Sequence, residues 1–102
     1  VEFVPGMVIT DEPGYYEEGV VGIRIENKLV CVEAGESEYG RYLRFEPIMY
    51  CPINTKPLIP GALSREEREW LNSYHASVYE KLSPFLSAEE CDWLKAKCAP
   101  VN

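Results

Sequence analysis

Glu12, in Asp11-Glu12-Pro13-Gly14-Tyr15-Tyr16, and Glu26, in Gly22-Ile23-Arg24-Ile25-Glu26-Asn27, have the types and spacing to act together. Each closes a short β-type run, and a stretch rich in Gly, Tyr and Glu separates the runs. If the runs pair as a hairpin, the two carboxylates meet on one face. Like charges opposed across a sheet destabilise it unless positive charge lies between them. A metal ion is one such charge; the Arg24 guanidinium is another. Carboxylate oxygens suit hard divalent cations such as Mn²⁺, Mg²⁺ or Ca²⁺. Two carboxylates do not complete a di-metal cage, so other ligands would have to come from elsewhere. Two other readings fit the same residues. They can be solvated strand glutamates, or an acid/base pair of the glycosidase type, for which a hairpin is a poor cleft.

The elements that must position them read as strands first and helices second. Met7-Val8-Ile9-Thr10-Asp11-Glu12 is a β-rich run stopped by Pro13-Gly14. Period two puts Val8, Thr10 and Glu12 on one face. Residues 13–19 read as a loop. Val20 to Val32 is the strongest strand signal, with Gly22, Arg24 and Glu26 on one face and Ile23 and Ile25 on the other. Glu33 to Tyr39 is polar and reads as a loop, and residues 42–51 read as a strand interrupted by Pro47. Pro52, Pro57 and Pro60 mark an extended connector. Ser64 and Glu67 form a capping-box pattern before a helix that carries Trp70, Leu71, Tyr74, Val78 and Leu82 on one side, with Pro84 ending it. Ser87 and Glu90 repeat the pattern before a short last helix with Cys91, Leu94 and Cys98 on its apolar face. This order predicts an α+β fold.

Composition narrows the classes. The chain has 102 residues, 46% hydrophobic and 26% charged, as in a globular protein with a thin core. A net charge of -7 argues against nucleic acid or an anionic membrane surface as partner. No apolar run approaches the ~20 residues that span a bilayer. The start, Val1-Glu2-Phe3-Val4-Pro5, has no signal-peptide pattern and reads as the interior of a longer chain. Cys31, Cys51, Cys91 and Cys98 are widely spaced, and His75 is the single histidine, so a Cys/His zinc site is not expected. The cysteines are read as reduced, small apolar residues, and His75 as a packing or helix-surface residue. Trp70 and Trp93 are read as core or interface anchors.

The glutamate segments together resemble the last part of the catalytic domain of Xaa-Pro aminopeptidase (aminopeptidase P), a metallopeptidase family with the pita-bread fold. The resemblance continues through Phe45-Glu46-Pro47, Pro52, Trp70-Leu71-Asn72-Ser73-Tyr74-His75 and Asp92-Trp93-Leu94-Lys95, and is closest to the long, cytosolic type. It implies that residues 1–39 are the C-terminal strands of a pita-bread catalytic domain. Residues 40–102 would be the family's mainly helical C-terminal extension. It further implies that Glu12 ligates one metal and takes a proton from the nucleophilic water, and that Glu26 bridges two divalent ions, Mn²⁺ being expected. Arg24 and Tyr16 would support the carboxylates from behind. The substrate would be a peptide with Pro at its second position. The full-length enzyme would be a cytoplasmic homodimer with no nucleic-acid or membrane partner.

The family's two Asp ligands, its His ligand and its further catalytic His residues are not in this sequence, so the chain is expected to be a C-terminal fragment, inactive alone. Met49 stands where the family tends to have a hydroxyl residue, and Lys28 where an apolar residue is common. Rival readings are a non-catalytic pita-bread relative that binds peptides or proteins, and a tail whose role is dimerisation.

Overall fold

Alternating β-formers and well-placed turns build a first unit, Val1–Met49, and two capped helices organise a second, Tyr50–Asn102. A computed structural model describes residues 1–102. The element order is β1 (Val8–Asp11), β2 (Gly14–Glu17), β3 (Val21–Arg24), β4 (Asn27–Ser37), β5 (Gly40–Pro47), α1 (Arg65–Leu82) and α2 (Ala88–Lys97), with a 3₁₀ turn at Ser83–Phe85 between the helices. The fold is α+β, as the sequence predicts.

In the first unit, β1, β4 and β5 form an antiparallel sheet in the order β1-β4-β5, and β2 pairs antiparallel with β3. The two ladders share one register. Val8 pairs with Val30 and Asp11 with Asn27, then Gly14 with Arg24 and Glu17 with Val21. The segment from β1 to β4 is therefore one long hairpin, interrupted at residues 12–13 and 25–26. Pro13 explains the interruption, because it has no N–H to donate to the ladder. The Ile25 N–H still donates to the Pro13 carbonyl at 3.2 Å, which carries the register across the break.

Two segments expected to be loops are strand. Residues 13–19 contain β2, since Pro-Gly interrupts pairing for only two residues and Tyr15 and Tyr16 are strong β-formers. The turn falls instead at residues 18–20, with Gly19 at φ +72°. The polar stretch after Glu33 continues β4 to Ser37, because β5 pairs with it throughout and polarity does not oppose an exposed strand. The register shifts between Glu33 and Gly35, where Gly35 adopts φ +122°, a β-bulge. Val20–Val32, read as one run, is divided between β3 and β4.

The second unit begins with the proline-rich connector, which has no regular element before α1. Both capping boxes form. Ser64 Oγ accepts from the Glu67 N–H at 3.2 Å while Glu67 accepts from the Ser64 N–H at 2.8 Å, and Ser87 and Glu90 do the same for α2. The Ser64 N–H, with the Ser64 hydroxyl adding to it, holds the Glu67 carboxyl below the usual carboxylate range. Tyr74, Val78, Leu94 and Cys98 form the buried cluster, flanked by Tyr50, Ile53, Tyr79, Leu82 and Leu86. Trp70, expected on the buried stripe, is half exposed and stacks on Tyr74 with ring centroids 5.5 Å apart. Trp93 is also exposed, beneath the Lys97 ammonium. No helix is long and apolar enough to cross a membrane.

Candidate functional site

The interruption in the long hairpin is where the two glutamates fall. Asp11 is the last β1 residue paired with β4, and Asn27 is its partner, so the shared register sets Glu12 opposite Glu26. Directly opposed residues of an antiparallel pair project to the same side. Arg24, two residues before Glu26, and Tyr16, across from Gly22, follow in the next ladder on that side by alternation.

The Arg24 Nε donates to the Tyr16 hydroxyl at 2.8 Å, and the guanidinium lies 5.7 Å from the Tyr16 ring centroid. The Arg24 pKa is raised above its ordinary value, chiefly by that hydroxyl. Partial desolvation opposes the rise, and the Glu12 and Glu26 charges add to it. Arg24 thus stands within electrostatic reach of both carboxylates. It forms no ion pair with either: the salt bridges of this unit are Arg41–Glu33 and Arg44–Glu46. The Arg24 guanidinium is therefore engaged by Tyr16 through its hydrogen bond, and Glu12 and Glu26 are exposed carboxylates without an ion-pair partner. Such a donor set fits a hard divalent cation.

Two residues escaped the sequence reading. A Cβ at Gly14 would sit 2.5 Å from the Tyr16 hydroxyl oxygen, and one at Gly22 would sit 3.2 Å from the Tyr16 ring. The ring lies flat across both glycines, which is how its hydroxyl reaches Arg24. The signal for this was the cross-strand pairing of Tyr16 with Gly22, readable only once the register is known. Asn27, beside Glu26, is buried. Its Oδ1 accepts from the Lys28 N–H at 2.7 Å, while its Nδ2 has no partner.

Other singled-out residues lie elsewhere. Glu46 pairs with Arg44 on β5. His75 is fully buried in α1, with Nε2 accepting from the Ile53 N–H at 3.0 Å, and it contributes to packing. It belongs to a polar set on α1 that fastens neighbouring backbone. The Tyr74 hydroxyl donates to the Cys51 carbonyl at 2.7 Å, and the Asn72 amide exchanges two bonds with Val101. No group of three or more His, Cys, Asp or Glu is placed to hold a metal ion.

The model of metallopeptidase family M24 matches residues 1–33, and that of the C-terminal region of peptidase M24 matches residues 41–101. The chain belongs to the peptidase M24 family, and most of it is the family's C-terminal region. Aminopeptidase P1 of Arabidopsis thaliana is 45% identical over 100 residues, which cover 94% of this chain and 15% of that protein. A probable Xaa-Pro aminopeptidase P of Talaromyces marneffei is 43% identical over 108 residues, covering 100% of this chain and 16% of the relative. Among solved structures, the X-prolyl aminopeptidase of Caenorhabditis elegans, described as a cytosolic enzyme with a di-nuclear active site, matches with a TM-score of 0.87 and 36% identity. That match covers 97% of this chain and 17% of the other. The chain thus spans about a sixth of the length of these relatives.

Proposed function

We propose that this chain is the C-terminal part of a metal-dependent Xaa-Pro aminopeptidase, which releases the N-terminal residue of peptides whose second residue is proline. The observation that carries the reading is the opposition of Glu12 and Glu26 across the break, with Arg24 held beside them by Tyr16. The relatives' names support it and disfavour the non-catalytic alternative. In domain terms, residues 1–39 complete the catalytic domain and residues 40–102 are the C-terminal extension. The two family matches, 1–33 and 41–101, agree with a division there, although β5 shares its sheet with β4.

Glu12 and Glu26 would hold divalent ions, Mn²⁺ by preference, together with ligands from the rest of the polypeptide. A pair of such ions, when bound, supplies Lewis acidity toward water and the scissile carbonyl. Glu26 would help to hold the ions through its carboxylate. Glu12 would be a further ligand and would take up a proton from the nucleophilic water. Arg24, oriented by Tyr16, would place positive charge beside both glutamates. The full-length protein would work in the cytoplasm as a homodimer.

The test is hydrolysis of Xaa-Pro peptides by the full-length polypeptide, with and without a chelator. Release of the first residue that is lost on chelation and restored by Mn²⁺ is expected. Chelator-insensitive cleavage, or no discrimination for proline at the second position, would contradict the proposal.

A further inference from the structure

Pairing of β2 with β3 sets Gly14 opposite Arg24 and Tyr16 opposite Gly22. Opposed residues share a side of the ladder, as do residues two apart along a strand, so these positions form one quartet on one side. Tyr16 and Arg24 occupy one diagonal of it. Diagonal neighbours in an antiparallel pair lie about 7–8 Å apart, too far for short side chains but within reach of an aromatic ring and a long cation. Gly14 and Gly22 occupy the other diagonal, and neither has a side chain to stand between. The Tyr16 ring fills that space. A Cβ at Gly14 would lie 2.5 Å from the Tyr16 hydroxyl oxygen, 2.7 Å from Cζ and 2.8 Å from Cε2, and one at Gly22 would lie 3.2 Å from Cδ1. The clash at Gly14 is thus with the end of the ring whose hydroxyl accepts from Arg24 Nε at 2.8 Å. Neither glycine has a positive φ, so the backbone does not call for glycine at either position. Glycine inside a strand weakens it and often marks a close approach, and here the approaching group is the Tyr16 ring.

We propose that Gly14 and Gly22 are positioning residues of the metal site: their bare backbone lets Tyr16 lie flat across them and hold the Arg24 guanidinium in one place beside Glu12 and Glu26. The inference rests on the reading of those two glutamates as metal ligands. A side chain at Gly14 lifts the Tyr16 hydroxyl away from Arg24. A guanidinium so released, on the same side as two carboxylates, is free to pair with them, and a carboxylate paired with Arg24 has less to give a divalent cation. The effect of a methyl group at Gly14 therefore passes through Tyr16 to Arg24, and from Arg24 to the ligands. Stability is scarcely involved. Alanine is at least as good a strand residue as glycine, and the displaced atoms are the far end of a side chain.

The test is a double-mutant cycle in the full-length polypeptide, read by calorimetric titration of the metal-free protein with Mn²⁺ and by the urea midpoint. Gly14→Ala should weaken Mn²⁺ binding by about tenfold, the lower end of what loss of a ligand-orienting contact costs, with the urea midpoint of the parent. Gly22→Ala should weaken it less, because its Cβ meets the ring at 3.2 Å. Tyr16→Ala should weaken binding at least as much as Gly14→Ala. Adding Gly14→Ala to Tyr16→Ala should bring no further loss, since the ring it would strike is gone. If Gly14→Ala does not fold, Gly22→Ala runs the same cycle. Parent-like affinity in the glycine variant, or losses that simply add in the double variant, would overturn the proposal. Glu26→Gln is titrated alongside. Parent-like affinity there removes the metal-site reading and this inference with it, whereas lost affinity there beside an unaffected Gly14→Ala removes this inference alone.

Discussion

The two units divide the work unequally. In the first, Asn27 and Cys31 are the buried residues, and Val8, Tyr15, Tyr16, Ile23 and Ile25 are all exposed, yet this unit carries the carboxylate pair. The second has a core of its own in Tyr74, Val78, Leu94 and Cys98, and carries none of the proposed ligands. The strand unit gains its order from backbone pairing and has little apolar burial to anchor it, whereas the helical unit is held by side-chain packing and by caps. In this chain the proposed ligands lie in the strand unit and the larger buried cluster in the helical one.

That contrast can be broken by substitution. The largest effect should come from the strand unit and should fall on rate. In the full-length polypeptide, Glu12→Gln should lower kcat for an Xaa-Pro peptide by roughly 10²–10⁴, through loss of the proton acceptor, with unchanged circular dichroism. A small fall in kcat would remove Glu12 from the chemistry. Next comes packing. Leu94→Ala in this chain should cost about 2–5 kcal/mol of stability in urea titration, while Val8→Ala, at an exposed strand position, should stay within about 0.5 kcal/mol. Equal costs would show that the strand unit has a core after all.

A pH scan sharpens the comparison further. Burial lowers the His75 pKa below its ordinary value of 6.5, and the Ile53 N–H held by Nε2 partly offsets the effect of burial on the titration. Because the folded pKa is depressed, the unfolded chain takes up the proton first. The neutral histidine's contribution is full above about pH 6.5 and is lost as pH falls below it, by at most about 1.4 kcal/mol per pH unit. Urea midpoints between pH 8 and pH 5.5 should therefore fall in the parent and stay flatter in His75→Phe. Parallel curves would assign the loss to other groups. The smallest effect is reserved for Glu46→Gln. This exposed glutamate is paired with Arg44, and the substitution should change stability by less than about 0.5 kcal/mol and leave metal content unaltered.

The sequence was most legible where a local rule decides the outcome. Both capping boxes start helices where Ser64 and Ser87 indicate, and alternation placed Glu12 and Glu26 on one side because the hairpin keeps its register through Pro13. It was least legible where the deciding partner is distant in sequence. β4 runs on to Ser37 because β5 pairs with it, and no property of residues 33–37 alone reveals that. Gly14 read as part of a strand stop and Gly22 as a strand residue, and only the cross-strand register shows that they make room for the Tyr16 ring. The Asn72, Tyr74 and His75 bonds to backbone were likewise hidden, since their partners at Val101, Cys51 and Ile53 lie 22 to 29 residues away.

The central claim is that Glu26 and Glu12 share a metal site, and the most direct measurement is metal stoichiometry in the full-length protein carrying Glu26→Gln. An amide replaces a charged two-oxygen ligand with one weak oxygen and no charge at nearly the same size, so the strand should survive while binding suffers. The account predicts that bound Mn²⁺, measured by mass spectrometry of metals after dialysis, falls well below the parent's, with circular dichroism unchanged. Full occupancy and a near-normal kcat/KM on an Xaa-Pro peptide would contradict it.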